Sequence, residues 1–125
     1  MKLIGKPKKS LGQNFLIDKN IINKITKIAD IDNTKTIMEI GAGYGSLTSE
    51  ITNKNPKKFF VVEKDKKLSV FLKEKFKDFN NVRIINDDIL NVFEKRFSER
   101  NLIVFGNLPY NVSTKILVSL IMIKK

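Results

Sequence analysis

From residue 19 onward, segments of helical period alternate with short apolar runs, and few folds are open to a chain patterned this way. Ile21, Ile22, Ile25, Ile28 and Ala29 recur at helical spacing behind Asp18, a suitable N-cap. The run Ile37 to Ile40 reads as a first strand, and Ser46 to Lys54, closed by Pro56, as a helix. Phe59 to Glu63 is a second strand pattern, after which Leu68, Phe71, Leu72, Phe76 and Phe79 mark one face of a helix stopped at Asn80-Asn81. Val82 to Asn86 predicts a third strand, Val92 to Phe97 a short helix, and Leu102 to Phe105 a fourth strand. The stretch from Val112 to Ile123 is apolar on nearly every side and predicts a buried helix. The fold class expected is α/β, an open parallel sheet with helices on its faces. In such sheets ligands bind beyond the carboxyl ends of the strands, so a site is to be sought there.

The chain's 125 residues suit one domain, and 42% hydrophobic with 30% charged residues reads as globular rather than disordered. No apolar run approaches the roughly 20 residues that span a bilayer. Lys2, Lys6, Lys8 and Lys9 lead into a polar stretch rather than an apolar signal segment, so no membrane and a cytoplasmic location are expected. There is no cysteine and no histidine. Thiol nucleophiles, thiolate metal sites and imidazole general bases are therefore excluded, and no metal is expected. The net charge of +11 permits a polyanionic partner such as nucleic acid. Nearly all of it is lysine, in a chain also rich in isoleucine and asparagine, a bias that AT-rich coding alone produces. On composition, the basic arm from Lys2 to Lys9 is a solubilising tail.

Glu39-Ile40-Gly41-Ala42-Gly43-Tyr44-Gly45 forms a glycine-rich turn directly after the first strand. Alternate glycines let the backbone turn sharply and a ligand approach the peptide groups. Glu63 ends the second strand about 20 residues on, where a carboxylate can accept from both hydroxyls of a ribose. Asp88, after the third strand, is placed to bond an adenine amine. A dinucleotide fingerprint requires G-x-G-x-x-G, with a pyrophosphate on the helix N-terminus. Here the third glycine comes one residue early, a shape usual in enzymes that use S-adenosylmethionine, which carries no phosphate. Glu39 is also typical of them and would be poorly placed against a pyrophosphate. A nicotinamide-dependent oxidoreductase is the disfavoured alternative.

After the fourth strand stands Asn107-Leu108-Pro109-Tyr110. The exocyclic amine of adenine is a poor nucleophile because its lone pair is delocalised into the ring. An asparagine oxygen and a backbone carbonyl, both accepting from N6, can hold it in line with a methyl sulfonium while Tyr110 stacks on the ring. No proton-transferring residue is needed before attack, which suits a chain without histidine.

Lys9-Ser10-Leu11-Gly12-Gln13-Asn14-Phe15-Leu16-Ile17-Asp18, the glycine turn, Glu63, Asp88-Ile89-Leu90 and Asn107-Leu108-Pro109-Tyr110-Asn111-Val112-Ser113-Thr114 together resemble the ribosomal RNA small subunit methyltransferase A family. The resemblance implies a Rossmann-like class I methyltransferase fold with strand order 3-2-1-4, followed in that family by further strands and a small helical domain. It implies transfer of methyl groups from S-adenosylmethionine to N6 of two adjacent adenines near the 3′ end of small-subunit (16S) ribosomal RNA, in the immature 30S subunit. By position, Asn14, Leu16, Gly41, Gly43, Glu63, Asp88 and Asn107 would bind the cofactor, with Glu39 in support. Asn107, Pro109 and Tyr110 would form the adenine site, and Gln13 and Phe15 would help close the pocket from the arm at residues 1–17. Erythromycin-resistance methyltransferases, which act on large-subunit (23S) RNA, share much of this pattern. Leu11-Gly12 and Leu108 lean toward the small-subunit family. The resemblance also implies that the chain is the N-terminal part of the catalytic domain, truncated after the fourth strand. Its last strand would be left with an open edge, and the piece would be inactive alone. A non-enzymatic module binding S-adenosylmethionine or RNA stays open as a second reading.

Overall fold

The computed structural model describes residues 3–8, 13–16, 19–94, 102–109 and 114–121. Within the basic arm, β1 (Leu3–Lys8) and β2 (Gln13–Leu16) pair antiparallel, Leu3 facing Leu16 and, after a shift in register, Lys8 facing Gln13. The arm therefore carries its own strand pair and is not a featureless tail. Then follow α1 (Lys19–Ile28), β3 (Thr36–Ile40), α2 (Ser46–Asn53), β4 (Lys58–Val62), α3 (Lys66–Lys75), β5 (Val82–Ile85), α4 (Ile89–Glu94), β6 (Leu102–Pro109) and β7 (Thr114–Ile121). Asp18, the expected cap of α1, lies outside the described residues, as does the end of the short helix expected to reach Phe97.

The main sheet runs β5-β4-β3-β6-β7, with the first four strands parallel. Those four stand in the 3-2-1-4 order expected. β3 is buried at four of its five positions, as befits a central strand covered on both faces. Ile37 shares one face with Phe59, Val61, Ile103 and Phe105, under Ile22 of α1, Leu47 and Ile51 of α2, and Leu72 of α3. Met38, Val62, Leu102 and Val104 point the other way, onto Val92 of α4. Crossovers of one hand give this division, because the chain steps outward from β3 to β5 and then returns to β6 on the opposite face.

Three expectations are corrected. The segment expected as a buried helix over 112–123 contains β7, paired antiparallel with β6 from Leu102↔Ile121 to Pro109↔Thr114. The sheet thus has a fifth strand, and β6 is not an open edge. A short apolar run rich in Ile and Val suits strand as well as helix, and the unpaired ladder groups of β6 settle the choice. Second, β6 does not stop at Phe105: pairing with β7 carries it through Asn107, Leu108 and Pro109. Third, Phe71 and Phe79 are not core residues of α3. They stand 44% and 43% exposed, while Leu72 and Phe76 are buried.

Candidate functional site

Parallel register sets the site's frame. Ile40 pairs with Val62 and with Gly106, and Val62 pairs with Ile85. The next residue on each strand, Gly41, Glu63, Asn86 and Asn107, therefore falls on one row along the carboxyl edge of the sheet. Three of these four are residues that the motifs selected. The fourth, Asn86, was missed: its amide donates to the Glu63 and Lys64 carbonyls at 3.0 and 3.1 Å and so ties β5 to the end of β4.

The glycine turn is built on left-handed backbone, with φ of 74°, 61° and 88° at Gly41, Gly43 and Gly45. Gly45 is also held by space. A Cβ there would lie 3.1 Å from both Leu72 and Phe76, so the third glycine lets the turn pack on α3. The Gly43 N–H donates to Oε1 of Glu63 at 3.0 Å.

Two carboxylates lie beneath and beside the turn. Glu39, on β3, is 1% exposed. Its Oε1 accepts from the Thr48 hydroxyl of α2 at 2.5 Å, and its Oε2 is buried without a partner. Burial pushes its carboxyl up to about 7, against the Thr48 bond, and repulsion from Glu63 adds to the rise. Glu63 is 7% exposed, and its Oε2 accepts from the Asp65 N–H at 3.0 Å. Its carboxyl is also raised, chiefly by burial, with the backbone bonds from Asp65 and Gly43 opposing. Sequence reasoning did not single out Thr48 or Asp65. Asp65 was findable, since it stands three residues before Leu68 and caps α3 by accepting the Leu68 N–H at 3.0 Å.

Asp88 lies two residues beyond Asn86, at the same edge. Its Oδ1 accepts from the Leu90 N–H at 3.0 Å at the head of α4, and its Oδ2 is 3.5 Å from Lys64 Nζ. Asp88 therefore serves as a helix cap in this structure. The ion pair is an exposed one and holds the second oxygen weakly. Asn107 and Pro109 lie on β6, and Tyr110 lies outside the described residues. Gln13, Asn14, Phe15 and Leu16 form β2, which lies against β7. Among the described residues no cluster of acidic side chains could hold a metal, and no helix is long and apolar enough to cross a membrane.

The chemistry of this edge is selective. The Gly43 amide, which a phosphate would need, is already given to Glu63. Carboxylates at 63 and 88 repel a pyrophosphate and favour a ligand that carries hydroxyls and positive charge.

Comparison with known proteins agrees with this geometry. The chain matches the ribosomal RNA adenine dimethylase family over residues 4–124. It is 58% identical over 112 residues to the ribosomal RNA small subunit methyltransferase A of Pelagibacter ubique, covering 90% of this chain and 42% of that one. It is 42% identical over 114 residues to the protein of that name from Persephonella marina, covering 91% and 43%. Among solved structures, the 23S rRNA methyltransferase ErmE is similar with a TM-score of 0.60 at 21% identity, over 76% of this chain and 48% of that one. The fold is the Rossmann-like fold of class I methyltransferases. Within that class, the chain belongs to the ribosomal RNA adenine dimethylase family. It spans about two fifths of the length of the curated relatives it matches.

Proposed function

We propose that the chain is the cofactor-binding part of a cytoplasmic enzyme that uses S-adenosylmethionine to dimethylate N6 of two adjacent adenines near the 3′ end of small-subunit ribosomal RNA, in the immature 30S subunit. The observation that carries this reading is the buried Glu63 carboxylate, level with Gly41 and Asn107 and bonded to the Gly43 amide. A carboxylate so fixed keeps lone pairs for two ribose hydroxyls. The fold and family support a methyl donor, and the small-subunit relatives at 42–58% identity support the 16S target over the 23S one.

The cofactor, when bound, supplies an electrophilic methyl group on a sulfonium. The chain's residues bind and orient. Glu63 takes the ribose hydroxyls, and Gly41 and Gly43 leave room for the ligand to lie against the backbone. Asp88 takes the adenine amine of the cofactor, giving up its loose contact with Lys64. Glu39 supports the turn from below through Thr48. Asn14 and Leu16 complete the cofactor site from the arm, with Gln13 and Phe15 closing over it. Asn107 and a backbone carbonyl at Pro109 hold the target N6 by accepting its protons, and Tyr110 stacks on its ring.

Titration calorimetry with S-adenosylhomocysteine and with NAD tests the cofactor. Binding of the first and not the second is expected, and the reverse would overturn the reading. For the reaction, N6-dimethyladenine in 16S RNA after incubation of the enzyme with immature small subunits is the expected product. Its appearance in 23S RNA alone would move the target to the large subunit.

A further inference from the structure

The Phe71 ring stands on the outer face of α3, and Tyr44 meets it edge to face, with ring centroids 5.7 Å apart and planes at 81°. Tyr44 belongs to the glycine turn itself, between Gly43 and Gly45, and is 40% exposed. One helical turn beyond Phe71, Lys75 holds its ammonium 5.7 Å from that ring's centroid and donates to the Tyr44 carbonyl at 3.0 Å. Lys67 lies one turn the other way, so Lys67, Phe71 and Lys75 share a single stripe of the helix. Six lysines face two carboxylates between residues 64 and 77. Neither carboxylate neutralises the stripe. Asp65 is turned onto the Leu68 amide, and Glu74 is paired with Lys77 at 2.8 Å.

We propose that Lys67, Phe71 and Lys75, with Tyr44 beside them, form a contact surface for a single-stranded stretch of RNA flanking the base to be methylated. This rests on the function proposed above and names a place where its substrate is held. Exposed rings offer a face on which any base can stack, and lysines one turn to either side neutralise the phosphodiesters that follow it. An acidic peptide would use the lysines but leave the rings without a partner. A second copy of the chain would bring the same lysines against one another. The surface adjoins the glycine turn, so a strand held on it runs past the cofactor edge.

The test is fluorescence anisotropy of a short fluorescein-labelled oligoadenylate, titrated with the 125-residue chain over a series of salt concentrations. The double variant Lys67→Gln/Phe71→Ala should bind about tenfold or more weakly, and its logarithmic salt slope should fall by about 0.7 for the lost lysine contact. Phe71→Tyr, which keeps a stacking ring, should retain wild-type affinity. Affinity for S-adenosylhomocysteine, read by calorimetry, should be unchanged in both. The proposal is overturned if the wild type does not bind the RNA, or if the double variant binds it as well as wild type. An equal loss toward polyglutamate, a loss of S-adenosylhomocysteine binding in the double variant, or sedimentation showing that the stripe closes a dimer would also overturn it. If the wild type binds RNA but not S-adenosylhomocysteine, the failure belongs to the proposed function, and the variants still decide the surface.

Discussion

The Gly43 amide and the Glu63 carboxylate are bonded at 3.0 Å, so the turn after β3 and the acid at the end of β4 are fixed against each other before any ligand arrives. Such preorganisation means that neither group has to be ordered when the cofactor binds.

Glu63→Ala should therefore weaken S-adenosylhomocysteine and S-adenosylmethionine alike, since the ribose is common to both. A loss of roughly 1.5–3 kcal/mol is expected, the range for hydrogen bonds to a charged group. Equal affinity of variant and wild type in titration calorimetry would return Glu63 to a structural part, bracing the turn.

Glu39 makes stability depend on pH. Its carboxyl is raised from 4.5 to about 7 in the folded protein, so the native state holds a proton that the unfolded chain has released. Stability from this group is greatest below pH 4.5 and falls as pH rises toward 7, by at most about 1.4 kcal/mol per pH unit, then levels off. Glu39→Gln should flatten that decline in urea unfolding across the interval. Glu63, raised in the same direction, leaves part of the slope in place. An identical slope in variant and wild type would contradict a buried, protonating Glu39.

Gly45→Ala combines two faults, a left-handed backbone with φ of 88° and a methyl 3.1 Å from Leu72 and Phe76. The conformation alone costs roughly 1–2 kcal/mol. Thermal unfolding should show a midpoint several degrees lower. Gly45→Asn, which tolerates this conformation better, should still suffer from the contact with α3.

Asn107→Ala should slow methylation roughly a hundredfold or more, the effect of removing one preorganised polar contact from a reacting centre. The measurement requires a form of the protein active on ribosomal RNA. Single-turnover rates report the loss, while cofactor affinity should change much less. Wild-type rates in the variant would exclude the assigned role.

How much of this was legible in the sequence depends on the range of the interactions involved. Strands β3, β4 and β5 and helices α1 to α3 were readable because each carries its own pattern, and the positions of Gly41 and Glu63 because each follows a strand, whereas β6 runs on through Asn107. Phe71 was misassigned because Leu68, three residues before it, made it look internal, whereas the helix turns Leu72 and Phe76 toward the sheet instead. The state of residues 114–121 was undecidable locally, since their choice between helix and strand is made by the edge of β6. The Thr48 bond to Glu39 and the Lys75 bond to the Tyr44 carbonyl join residues distant in the chain, and no spacing rule reaches them.

The row at Gly41, Glu63, Asn86 and Asn107 also bears on how the protein is made. No hairpin joins the parallel strands β3, β4, β5 and β6, so each member of the row arrives only after another crossover has closed, and β6 docks beside β3 after both intervening strands are already in place. During synthesis Glu63 and the glycine turn can meet early, but Asn107 joins them only once β6 has docked, so on the function proposed above a nascent chain would acquire its grip on the cofactor before its grip on adenine.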